Sequence, residues 1–121
     1  MTKKAQRKAI AKACGWIFQP DEFGWSFAKL NKYSVWWKYD ADEEEHVPFP
    51  NYPKDLNAMY KAEKLLNAGQ INTYIGYLYK FTKIAEAKSD PWEIIAVRVA
   101  IHATAAQRAE AFLRTLNLWK D

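Results

Sequence analysis

The sequence predicts an α+β fold, a small and mostly antiparallel sheet covered by helices, on three observations. Stretches with a helical apolar period are interrupted by short aromatic and β-branched stretches that read as strands. Trp92 to Ile101 alternates, with Ile95, Val97, Val99 and Ile101 on one face of a predicted strand. Directly after it, Thr104 with Gln107 three residues later has the pattern of a capping box, which marks the start of a closing helix.

The first helix is predicted from about Lys3 to Cys14, with Ala5, Ala9 and Ala13 as a narrow apolar edge and Gly15 as its left-handed stop. Lys3, Lys4, Arg7, Lys8 and Lys12 spread over the rest of its circumference, the pattern of a solvated amphipathic helix. Trp16 to Phe18, Trp25 to Phe27 and Tyr33 to Tyr39 then read as short antiparallel strands, with Trp36 and Trp37 on opposite faces of the last. Asp40 to Pro53 is a predicted loop. Its acidic run (Asp40, Asp42, Glu43, Glu44, Glu45) and His46 lack the ligand spacing and turn glycine of a calcium loop, so they read as solvated chain.

The second helix is predicted over about Lys54 to Leu66 with a stripe of Leu56, Met59, Tyr60 and Leu66, into which Glu63 falls. A carboxylate on a buried face must be protonated or paired, and Arg108 and Arg98 are the candidate cations. The third helix, about Gln70 to Ala87, buries Ile71, Tyr74, Ile75, Leu78, Phe81 and Ala85 and carries Tyr77, Tyr79 and Ile84 besides. That apolar surface is wider than one sheet face needs, which predicts either a subunit interface or an aromatic wall for a base. Asp90-Pro91 ends it.

In the closing helix the predicted stripe is Ala105, Ala109, Phe112, Leu113 and Leu116, with Arg108 on its border and Arg114 opposite. Arg108 lies one turn inside the positive end of the helix dipole, where phosphates and carboxylates are commonly held. Two roles stand open for it: a lateral clamp on such an anion, or a partly buried ion pair that orients the helix. Arg114 follows Glu110 by four residues and reads as a solvated helix pair, with ligand contact as its other role. On the predicted strand, Arg98 and His102 share the face that leads to Thr104, at the kind of strand end where α/β folds often bind ligands.

At 121 residues the chain is read as one domain, residues 1–121, large enough to bury a core without staples. Six Trp, seven Tyr and six Phe exceed what so small a core needs, so some rings are assigned to a binding surface. The net charge of +4 and pI near 9.1 admit anionic partners but fall short of a dedicated nucleic-acid binder. The lone Cys14 excludes an internal disulfide, and neither a signal peptide nor an apolar run of membrane-spanning length is visible, so the expected location is a cytoplasm. Cys14 at a helix C-terminus, two isolated histidines and only four glycines argue against thiol, zinc and phosphate-loop chemistry.

His102 to Trp119, together with Asp55 to Leu65 and Ile10 to Trp16, resembles the phage ABA sandwich domain family of small phage and prophage proteins. The middle block departs at Tyr60, where that family's pattern has a histidine. This resemblance implies an α/β sandwich and a phage origin but no activity. The chain's size, its closing helix with two arginines and its aromatic helix are also similar to the Thoeris anti-defence sponge proteins of phages. That second likeness implies an oligomer that sequesters cyclic ADP-ribose signals, and in some members cyclic oligonucleotides, without degrading them. It maps no ligand residue onto this chain.

The expectation is therefore a phage-encoded binding protein, not an enzyme and without a cofactor, that forms a homo-oligomer in the host cytoplasm and holds a nucleotide immune signal. Arg108 and the amides after Thr104 take the phosphates, Tyr77 or Phe81 stacks on a base, and Arg98, His102 and Arg114 assist. Two other classes fit parts of the pattern. A module that inhibits a host enzyme directly would use the aromatic surplus alone, and a nucleic-acid accessory protein would use the N-terminal lysines.

Overall fold

The computed structural model describes residues 1–20, 25–30, 33–38, 49–82 and 91–121. They fall into two compact units, Met1–Ile10 with Asn51–Asp121 and, separately, Ala11–Pro50.

The element order is α1 (Lys3–Ala13), β1 (Ile17–Pro20), β2 (Trp25–Leu30), β3 (Tyr33–Lys38), a 3-10 turn (Tyr52–Lys54), α2 (Leu56–Glu63), α3 (Ala68–Thr82), α4 (Trp92–His102) and α5 (Ala105–Thr115). The expected α+β sandwich is thereby overturned, because the described chain is mostly helical. Among the described residues, Asn51–Asp121 holds four of the five helices and none of the strands, so none of these residues forms a sheet for helices to cover. Trp92 to Ile101, expected as a strand, is helix α4.

That correction has a local cause. Pro91 occupies the N-cap of α4, and Glu93 in its first turn complements the positive end of the dipole. The same β-branched residues also satisfy a helical period, in which Val99 and Ala103 are buried and Ile95 and Ala96 half-buried. Among the described residues of that unit no strand offers an edge to pair with, so the alternating pattern has nothing to act on.

In Ala11–Pro50 the strands form an antiparallel meander in the order β1-β2-β3, with Phe27 opposite Trp36 and Ser26 opposite Trp37. The predicted placement of the Trp36 and Trp37 indoles lies outside the described residues. So do the acidic run with His46, the end of the third helix beyond Thr82, and Asp90. Gly15 adopts φ 98°, and its amide and that of Trp16 donate to Lys12 O and Ala11 O at 3.1 and 3.0 Å. Those are the two hydrogen bonds of a Schellman cap, and the left-handed residue between them favours glycine.

In the helical unit α5 is the hub, packing on α2, α3 and the 3-10 turn, while α3 also packs on α4. The buried side chains of α5 are Ala105, Arg108, Ala109, Ala111, Phe112 and Leu113, and Met59, Ala62, Tyr74, Leu78 and Val99 are buried in the same unit. The expected stripes change on four helices: on α1 Gln6, Ile10 and Ala11 are buried while Ala5, Ala9 and Ala13 are half-buried, and on α5 Ala111 is buried and Leu116 half-buried. On α2 the inner face is Ala58, Met59 and Ala62, which leaves Leu56 and Tyr60 exposed. On α3 only Tyr74 and Leu78 are fully buried, and Ile71 is exposed.

Side-chain caps set four of the helix starts, the first where Thr2 Oγ1 accepts from Ala5 N at 3.1 Å to open α1. Asp55 Oδ1 accepts from Ala58 N at 3.1 Å to open α2. Before α3, Asn67 and Gln70 exchange reciprocal hydrogen bonds of 2.9 Å. Thr104 and Gln107 do the same before α5, at 3.1 and 2.9 Å. At the far end of α5, Asn117 at φ 59° closes a second Schellman cap, with Leu118 N on Leu113 O.

Gly15→Ala forces a Cβ into the left-handed region and should cost about 1 kcal/mol of stability in urea unfolding, with little change in the slope of the transition.

Candidate functional site

Arg108 points inward. Its side chain is 3% exposed, and each of its three guanidinium nitrogens donates a hydrogen bond. Nε donates to Ala103 O at 3.2 Å, Nη1 to Glu63 Oε1 at 2.9 Å, and Nη2 to Ala100 O. The Tyr60 ring covers it, with the guanidinium carbon 5.0 Å from the ring centroid. Glu63 Oε1 also accepts from the Tyr74 hydroxyl at 2.5 Å.

Of the two roles open to Arg108, the structure therefore places it in the ion pair with Glu63. The fork shape of the guanidinium explains why arginine fits here. One plane of donors reaches a carboxylate on α2 and two carbonyls from the end of α4, where a helix leaves its acceptors unpaired. Burial alone works against the Arg108 charge, but the hydrogen bond and charge of Glu63, then Tyr74, outweigh it and raise its pKa. Burial likewise raises the pKa of Tyr74, reinforced by its hydrogen bond to Glu63 and the charge of that carboxylate.

The other predicted residues divide. Arg98 and His102 are exposed on the helix α4, not on a strand face. Arg114 is half-exposed, pairs through Nε with Glu110 Oε2 at 3.2 Å, and lies 4.9 Å from the Trp119 ring centroid. Thr104 is exposed, with its hydroxyl committed to the cap of α5. Tyr77 and Phe81, one turn apart on α3, stack on each other with centroids 6.1 Å apart and planes at 24°.

Phe81 and the start of α5 do come together. Gln107 Nε2 donates to Phe81 O at 3.2 Å, tying the first turn of α5 to the last turn of α3. Beside that tie lies an open groove of about 490 Å³ lined by Lys80, Phe81, Ala106, Gln107 and Glu110. Gln107 spends its carboxamide oxygen on the cap and its nitrogen on Phe81, so this part of the floor is pre-organised.

Lys80, Gln107 and Glu110 were not among the predicted ligand contacts. Lys80 lies in the last turn of α3, and no spacing in the sequence announces that α3 and α5 meet there. Chemically the groove offers an aromatic face, one ammonium group, the first turn of a helix and one carboxylate. Among the described residues, no group of three or more His, Cys, Asp or Glu could hold a metal ion, and no helix is long and apolar enough to cross a membrane.

Arg108→Ala strands Glu63 and two carbonyls, and should destabilise the protein by about 3 kcal/mol, the lower end for a broken buried pair because Glu63 remains 19% exposed. Thermal or urea unfolding should show Arg114→Ala costing about 0.5 kcal/mol or less, as expected for a half-exposed helix pair. Tyr74 supplies a pH test. Because its folded pKa is raised, its contribution is fully present below the ordinary value of 10.0 and is lost as pH rises above it. Between pH 10 and 11 the parent should lose stability more steeply than Tyr74→Phe, by up to about 1.4 kcal/mol per pH unit.

Comparison with family models, with curated proteins and with solved structures returns no match for this chain.

Proposed function

We propose that this is a non-catalytic binding protein that holds a small, base-bearing anionic ligand in the groove between α3 and α5. The observation that carries the reading is the juxtaposition of Phe81, backed by Tyr77, with Lys80 and the first turn of α5. A base stacks on the Phe81 ring, a contact that tolerates any base because each has a π-face. A phosphate is met by the Lys80 ammonium and the positive end of the α5 dipole. Arg108 is not a ligand contact in this arrangement, and its role is to hold the helices that form the groove.

The ligand class that suits these groups is a nucleotide signal of the cyclic ADP-ribose or cyclic oligonucleotide type, in keeping with the resemblance to phage sponge proteins. Sequestering such a signal requires affinity and slow release but no chemical step, so a phage protein of this kind blocks host defence by lowering the free signal.

Calorimetric titration with cyclic ADP-ribose isomers and cyclic di- and trinucleotides tests this reading. One of them should bind and be recovered chemically intact after the complex is heated. Phe81→Ala should weaken that binding roughly 10- to 100-fold, the loss of one base–aromatic stack. Absence of binding to every ligand in the series, or binding unchanged in both Phe81→Ala and Lys80→Ala, would rule out the groove.

A further inference from the structure

Helix α4 is apolar on two sides. Its inner side is Ile95, Ala96, Val99 and Ala103, while on its outer side Ile94, Val97 and Ile101 are 45, 58 and 70% exposed. A helix that is apolar all round is normally buried all round. The outer residues are also β-branched, which costs helix propensity that their partial burial within this chain returns only in part.

Their spacing is informative. Ile94, Val97 and Ile101 follow one another by three and then four residues, the alternation of the core positions of a coiled-coil seam. Glu93 and Arg98, both exposed, then occupy the two flanking positions. In a parallel pair of such helices, the flanking residue on one copy faces the residue five places later on the other. Glu93 of one copy therefore meets Arg98 of the second copy, and the two-fold axis repeats the pairing.

We infer that the outer face of α4 is a self-association surface, on which two copies of this chain pair with their α4 helices parallel. The surface is self-complementary in charge. Its size is adequate for a modest dimer. With Ala100 and the stems of Glu93 and Arg98 included, two such faces bury on the order of 1,000 Å², the lower edge of specific interfaces. The branched side chains are already restricted in rotamer, so ordering them on association costs little.

Sedimentation of the full chain over about 1 to 100 µM tests the inference. The expected result is a mass rising to twice the 14.1 kDa of one chain. Val97→Glu should stay at the single-chain mass with an unchanged far-UV circular dichroism spectrum, since the residue is exposed within the chain. Orientation has its own readout: Glu93→Arg should weaken the dimer about tenfold, and adding Arg98→Glu should restore it. A single-chain mass throughout, or a dimer that survives Val97→Glu, overturns the surface. Failure of the double variant to recover overturns the parallel register. None of these outcomes depends on whether the α3–α5 groove binds a nucleotide.

Discussion

The helical unit is organised around the buried pair of Arg108 and Glu63. Helices α4 and α5 are joined by only Ala103 and Thr104, so their relative direction needs a constraint beyond the connection. Arg108 supplies it by reaching back from the first turns of α5 to the carbonyls of Ala100 and Ala103, while its third arm takes Glu63 from α2. Tyr74 adds α3 to the same carboxylate. Four helices are thus referred to one charged cluster. Desolvating that charge is expensive, and the cost is offset only because hydrogen-bond geometry and opposite charge are satisfied together. A cation at the end of α4 also suits the negative pole of that helix.

This arrangement explains which parts of the site were readable from residues alone. Glu63 on an apolar stripe demands a cation, and Arg108 is one of the two candidate arginines, because the cost of a lone buried carboxylate holds whatever the fold is. The Thr104–Gln107 box was readable for a similar reason, since both partners lie within one turn. By the same logic Asn67 and Gln70 carry an equally local signal, and they move the start of α3 back to Ala68 from the expected Gln70. The groove is different in kind. Its tie between Gln107 and Phe81 spans 26 residues and exists only after α3 and α5 pack.

The strand expected at Trp92 to Ile101 shows where local pattern loses to context. Ile95, Val97, Val99 and Ile101 alternate, yet Ile95, Val99 and Ala103 recur every four residues, so the segment satisfies both periods at once. A strand needs a neighbour to take its backbone hydrogen bonds, whereas a helix satisfies them internally. The strands that do form lie in the other unit, Ala11–Pro50, as a meander of near neighbours in sequence. Pro91 and Glu93 were the signals that favoured the helix, and they act at its first turn, not along its length.

Once α4 is a helix, the excess of aromatic side chains also divides differently. Tyr77 and Phe81 stack beside the groove, while Tyr79 meets Trp92 edge-on at 6.1 Å and 68°. That second contact fixes the start of α4 against α3, just as Arg108 fixes its end. A helix held at both ends on its inner side cannot rotate to hide Ile94, Val97 and Ile101. Their exposure is therefore imposed by the contacts that stabilise the unit. A rigid apolar face of that kind is pre-organised for association, because little freedom remains to be lost when a partner covers it.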